Sequence, residues 1–329
     1  MLMHIRHILN LLLLLALANG VLAQDPHFTQ TGTASSLINP AYTGVFNGNI
    51  RFESNYRQQW SSLGSPFTTM FLSVDGKLSQ SESLAQSPFC AGIVVQADKT
   101  LKGALARTNF SFNTAYHVPL NSSGDKTLGL GLMATYGKSN FNFSQLASGS
   151  QFTSGGFNLS LPSGEAFYEN MRPYLSVGAG LLFVNSNPEE GTFFEIGAAA
   201  YHLNKPQQKI LYEGQNEIPI RFCAQATLQR YLAENLLMDL RLLYQSQSAS
   251  DYLLGSISMA KLLSEDQDGS LVGLGLSYRS GDALAPSVFT ELNNFRLGFS
   301  YDFQISGLTK NNIPASTLEL SLQYRIKSK

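Results

Sequence analysis

The chain has 329 residues, 14% of them charged and 43% hydrophobic, and its formal net charge is −1. Soluble domains carry about 25% charged residues, so this chain is poor in charge, yet past its N-terminus no run is long and apolar enough for a transmembrane helix. Near-neutrality and the lack of any basic tract give nucleic-acid binding no footing, while 14 Tyr, 21 Phe and 28 Gly lean towards a membrane β-barrel, whose interfaces are ringed by aromatic girdles.

At the N-terminus, His4, Arg6 and His7 precede an apolar run from Ile8 to Ala18. That run is short for a bilayer span. Val21 and Ala23 suit the −3 and −1 positions of a signal peptidase cutting before Gln24, and no Cys stands there to carry lipid. Residues 1–23 therefore read as a secretory signal peptide. Residues 24–48 are polar, rich in Thr, Ser, Asn and Gly, and hold Pro26 and Pro40. They are not a strand. A disordered leader, a plug inside the lumen and a segment against the periplasmic rim all fit, with Phe28 and Tyr42 making order plausible.

From residue 49 to 329 the pattern has period two, so that one set of side chains meets lipid and the other the lumen. Leu297, Phe299, Tyr301, Phe303 and Ile305 alternate with Arg296, Gly298, Ser300, Asp302 and Gln304. Leu318, Leu320, Leu322, Tyr324 and Ile326 alternate with Glu319, Ser321, Gln323 and Arg325. About fourteen such runs occur, near 49–60, 67–78, 89–98, 106–118, 127–138, 172–185, 192–202, 219–231, 236–244, 252–263, 270–279, 285–291, 295–305 and 317–327. Each is about as long as a tilted bilayer strand requires. An even count puts both termini in the periplasm. The longest connections, 139–171, 203–218 and 306–316, all follow odd-numbered strands and so share the external side. The fold class is all-β, a transmembrane antiparallel barrel.

Chemistry-bearing motifs are missing. There is no HExxH, GxSxG or phosphate-cradling loop; the Gly273–Tyr278 run GLGLSY places its glycines on a strand face. His117 falls on the lumen face beside Asn113, the wrong side for attacking membrane lipid. No enzyme activity, metal or other cofactor is expected. Cys90 and Cys223, widely separated and without CxxC spacing, read as two unpaired wall residues, although an oxidising periplasm permits a bridge between them. By alternation Arg51, Glu53, Arg57, Arg221, Asp239, Arg241, Arg279, Arg296, Asp302, Glu319 and Arg325 all face inward. Mixed signs in one confined space favour salt-bridged filling over an open pore, although a porin lining is charged too.

Several strings, taken in order, resemble the PorP/SprF family of type IX secretion system membrane proteins of Bacteroidetes. They are DPHFTQ from Asp25, NPAYTG from Asn39 to Gly44, YRQQW from Tyr56 to Trp60, LSVDGKL from Leu72 with Asp75, LSYRSGDA from Leu276 to Ala283, and RLGFSYDFQISGL from Arg296 to Leu308. The resemblance implies an outer-membrane barrel with a short N-terminal periplasmic segment. It also implies non-enzymatic work with the type IX machinery, with a secreted surface protein such as an adhesin that carries a C-terminal sorting domain, and with periplasmic peptidoglycan-associated or ring components. The motif residues Asn39, Pro40, Tyr42, Gly44, Arg57, Trp60, Asp75, Arg279, Gly281, Asp282 and Asp302 are the candidate family-motif or lumen residues. Pro40 should hold Asn39 extended, Gly44 should allow a turn, Trp60 should sit in an interfacial girdle, and RSGDA should form a tight turn or join the lumen network. Ile326 stands where the family usually ends on an aromatic. A small-solute porin is the rival reading.

Overall fold

The computed structural model describes residues 25–61, 65–79, 84, 86, 88–142, 146–163, 171–187, 191–211, 214–263, 270–305 and 316–327. The expected signal peptide, nearly all of the 306–316 connection, and Ser328 and Lys329 lie outside the described residues. Fourteen strands form one closed antiparallel barrel in which each pairs with its chain neighbours and the last with the first. They are β1 (Ile50–Gln59), β2 (Phe67–Lys77), β3 (Phe89–Thr100), β4 (Leu105–Pro119), β5 (Lys126–Phe141), β6 (Tyr174–Asn187) and β7 (Thr192–Tyr201). There follow β8 (Arg221–Ala233), β9 (Leu236–Gln247), β10 (Ser250–Leu262), β11 (Leu271–Arg279), β12 (Ala283–Leu292), β13 (Phe295–Gln304) and β14 (Ser316–Ile326). No described helix is long and apolar enough to cross a membrane.

The alternation predicted from sequence is realised strand by strand. On β5, Leu128, Leu130, Leu132, Ala134 and Tyr136 point out, while Thr127, Gly129, Gly131, Met133, Thr135 and Gly137 are buried. Lys126 and Lys138 bracket this outward apolar band on the same face, which places the two bilayer boundaries. Closure is set by β1 against β14, where Ile50 faces Ile326 and Arg57 faces Glu319. Ile326 thus fills the closing position, and its carbonyl accepts from the Asn49 N–H at 2.7 Å.

Nine strands run past an expected bound by one to three residues, and three of them show why. β5 runs on to Phe141 and β9 to Gln247 because ladder hydrogen bonds continue beyond the bilayer, where outward positions such as Asn140 turn polar and the apolar pattern fades. β12 begins at Ala283, before the expected 285, although its ladder with β13 breaks over Ala285 and Pro286 and resumes at Ser287 opposite Ser300. Proline has no N–H to donate there.

On one side of the barrel several connections are short, among them 120–125, 234–235 and 293–294. On the other side lie two small hairpins, Phe152–Thr153 with Gly156–Phe157 and Gln207–Leu211 with Gly214–Glu217; this is the external side. The N-terminal segment folds inside the lumen as three short turns, Thr31–Thr33, Ser35–Ile38 and Pro40–Tyr42. It descends from Asp25 at the external mouth to Asn49 at the periplasmic rim, where the chain enters β1.

Candidate functional site: the plugged lumen

Inward-facing charges dictate how the segment is held. At the external mouth Asp25 lies 2.7 Å from His202 Nε2, 3.4 Å from Arg221 and 3.8 Å from Arg107. Burial alone would raise the Asp25 pKa, but Arg221, then His202 and Arg107, hold it well below the usual carboxylate range. Burial first, and then Arg279, Arg57 and Arg221, push the His27 pKa well below its ordinary value.

Midway down, Thr29 sits at the centre of an ion network. Arg57 donates to Glu319 at 3.0 Å and to Asp302 at 2.9 Å, and Arg279 donates to the same Asp302 oxygen at 2.7 Å. The Thr29 N–H donates to Glu319 at 2.8 Å, and its hydroxyl accepts from Arg57 at 2.9 Å and from Arg279 at 3.1 Å. Asp302 and Glu319 have no solvent exposure. Such desolvated carboxylates are tolerable only when their oxygens are filled, and part of that filling comes from the segment itself.

Below this layer the wall is shaped to the NPAYTG turn. Asn39 is extended, with φ −154°, and its side chain accepts from the Ala41 N–H while donating to the Leu181 carbonyl at 2.8 Å. Gly131 on β5, Gly180 on β6 and Gly197 on β7 leave the space. A Cβ at Gly131 would lie 2.1 Å from the Ala41 nitrogen, and one at Gly180 would lie 2.0 Å from Asn39 Oδ1. Tyr42 donates its hydroxyl to Glu195 at 2.7 Å; burial, reinforced by that carboxylate, raises the phenol pKa well above its ordinary value. Gly44 turns with φ +83° and donates its N–H to Asp75 at 2.7 Å, while Asp75 also takes Arg51 at 2.9 and 3.0 Å. His117 points inward and meets the Thr43 carbonyl at 3.0 Å.

The remaining motif residues lie at strand ends. Trp60 leaves β1 with φ +59° and packs edge-on to Phe67, ring centroids 5.2 Å apart, at the external end of the wall. In RSGDA, Gly281 turns with φ +68°, the Asp282 N–H closes the turn on the Arg279 carbonyl at 3.1 Å, and Arg279 pairs with both Asp282 and Asp302. The string is therefore a turn and a member of the lumen network at once. Cys90 and Cys223 are in no disulfide, and both are buried.

Between the segment and the periplasmic turns lies a cavity of about 1000 Å³, lined by Tyr42, Arg51, Glu195, Gln225, Arg241 and Arg296 and rimmed by Gly124, Asp125, Asn293 and Lys327. Sequence reasoning gave no role to Thr29, Glu195, His202 or the lumen glycines Gly131, Gly180 and Gly197. Glu195 was accessible to the alternation argument; Thr29 was only a member of the DPHFTQ string, and His202 was placed at the end of the expected 192–202 strand, which stops at Tyr201. His202 also lies 2.8 Å from the Ser176 hydroxyl through Nδ1, a Ser–His–Asp chain with Asp25. Ser176 is only 4% exposed and the carboxylate is shared with two arginines, so the trio holds the segment in place rather than presenting a nucleophile. No group of His, Cys, Asp and Glu among the described residues could hold a metal.

The PorP/SprF family of type IX secretion system membrane proteins matches residues 21–324. The chain belongs to that family. No curated protein sequence matches it. Among solved structures it is similar to a mutant of the TodX monoaromatic hydrocarbon channel, 13% identical over 89% of this chain and 94% of that one, with TM-score 0.51. It is also similar to the toluene transporter TodX of Pseudomonas putida, 11% identical over 92% and 98%, with TM-score 0.50. At this identity the likeness is one of fold alone. Family and architecture together make this PorP/SprF member an outer-membrane β-barrel associated with type IX secretion.

Proposed function

We propose that this PorP/SprF member is a closed, non-enzymatic platform in the outer membrane. It supports secretion or surface attachment of a protein with a C-terminal sorting domain and connects on its periplasmic side to peptidoglycan-associated or ring components of the machine. The observation that carries the reading is the lumen segment, which is tied to opposite walls by Asp25, Thr29, Asn39 and Gly44 and occupies the path a solute would take. A pore with its interior so occupied has no use for the barrel's width except as a rigid frame for contacts at its two rims. Export through residues 1–23 as a signal peptide belongs to the same reading.

Two measurements test it. In planar bilayers the purified chain is expected to be electrically silent, and steady unitary conductance overturns the closed-barrel part. In a deletion strain at least one sorting-domain protein should be missing from the cell surface. Normal display of all of them overturns the secretion role.

A further inference from the structure

A second, smaller cavity of about 70 Å³ lies between residues 29–33 of the lumen segment and the inner wall from β9 to β13. Among the described residues three charged side chains line it: Asp239 and Arg241 on β9 and Arg296 on β13. The Asp239 carboxylate is already filled, accepting from Arg241 Nε at 2.9 Å, from Arg241 Nη2 at 2.8 Å and from Gln229 at 2.7 Å. Arg241 Nη1 has no acceptor among the described residues and lies against the segment, where a Cβ at Gly32 would sit 3.1 Å from it. Arg296 reaches only Glu291, at 3.5 Å, and Glu291 is also taken by Arg325. Three arginines thus share two carboxylates, which leaves one positive charge in excess at the cavity wall.

The neutral lining adds donors. Ser300 is fully buried and its hydroxyl has no hydrogen-bond partner among the described residues; Thr31 of the segment lines the same space. A hydroxyl can donate or accept, so water alone would satisfy it, but a guanidinium only donates, and a buried charge without a counter-charge is costly. The occupant this lining calls for is therefore an acceptor with a single negative charge. A cation is repelled by the two arginines, and a dianion such as sulfate would reverse the imbalance instead of cancelling it. We propose that the cavity binds one small inorganic monoanion of the chloride class, held by Arg241, Arg296 and Ser300 against Thr31. The space takes one such ion and a few waters. Arg241 and Arg296 also line the 1000 Å³ cavity beneath the segment, so the ion enters from the periplasmic side. The site is made by barrel and segment alone, whatever protein is exported, and its occupancy ties residues 29–33 to β9 and β13.

Two experiments on the purified full chain test this. Crystals grown in sodium bromide should show an anomalous peak within hydrogen-bond reach of Arg296 and Ser300, whereas density there without anomalous signal is water and overturns the site. In solution, amide exchange of residues 29–33 is compared in sodium chloride and sodium gluconate at equal ionic strength, which removes Debye screening from the comparison and offers an anion too large for the cavity. With chloride at about ten times the midpoint of its titration, protection should rise about tenfold over gluconate, as mass action requires of a ligand bound only by the docked state. Arg296→Gln and, separately, Ser300→Ala should each lose most of that chloride effect in barrels whose heat-modifiable migration matches the parent's; if Arg296→Gln does not assemble, Ser300→Ala and the bromide peak decide. Equal protection in the two salts overturns the proposal, as does a chloride effect that the assembled variants retain in full. Sulfate that matches chloride at equal activity overturns the monoanion assignment.

Discussion

The guanidinium of Arg57 on β1 meets the carboxylate of Asp302 on β13 at 2.9 Å, with the side chains 3% and 0% exposed. The strand between them, β14, contributes Glu319 to the same guanidinium. One arginine therefore joins three strands across the seam where the barrel closes, and Thr29 of the lumen segment completes the coordination.

Arg57→Gln should leave both carboxylates buried without their shared partner. Loss of one member of a buried pair costs about 3–5 kcal/mol, and here it should appear as a lower temperature of barrel unfolding and as new conductance when the segment loosens. Arg57→Lys is expected to recover little, because an ammonium cannot serve Asp302, Glu319 and Thr29 with one planar fork.

Gly180→Ala and Gly131→Ala test the seat of the NPAYTG turn. Each Cβ would fall about 2 Å from atoms of Asn39 or Ala41, so the segment must shift while the strands remain paired. Overpacking of this kind costs about 1–3 kcal/mol. Limited proteolysis should then cut within residues 25–47 of an otherwise heat-modifiable barrel, whereas the parent chain resists.

Acidification should loosen the segment, and the sign follows from His27 and Asp25. Both have docked pKa values lowered from their ordinary ones. Below about pH 6.5 a released His27 takes up a proton that the docked one refuses, so docking weakens by up to about 1.4 kcal/mol per pH unit. The Asp25 contribution is fully present above its ordinary value of 3.8 and fades only as pH falls through its lower docked value. Amide exchange of residues 25–33 should therefore speed up between pH 7 and pH 5, and His27→Gln should flatten that dependence while Asp25→Asn should not.

Both cysteines should be silent to iodoacetamide in the folded barrel and both should react after unfolding, since each is buried and in no disulfide. Labelling of Cys90 in the Gly131→Ala or Gly180→Ala chains would report movement of the turn at Gly44, whose backbone packs on its sulfur.

How much of this was legible before folding differs by level. Period two alone sorted Arg51, Glu53, Arg57, Arg279, Asp302 and Glu319 onto the inner face, because a strand can present a residue to only two sides. Fourteen strands and a closed wall followed from the same count, with loop lengths settling which rim is external. The polar run 24–48 was recognisable as something other than a strand, but leader, plug and rim segment share that composition.

What only the tertiary structure decided is which groups meet. Arg57 lies 245 residues from Asp302 and 262 from Glu319, and those pairings exist only because the last strands close against the first. Asn39 reaches Leu181 across 142 residues, and its seat is made of glycines, which carry no side-chain signal of what they make room for. The sequence by itself determined the wall, since alternation is a local property of each strand. The contents of the lumen were decided by closure, which brings inward charges from opposite walls close enough that a buried chain segment must satisfy them.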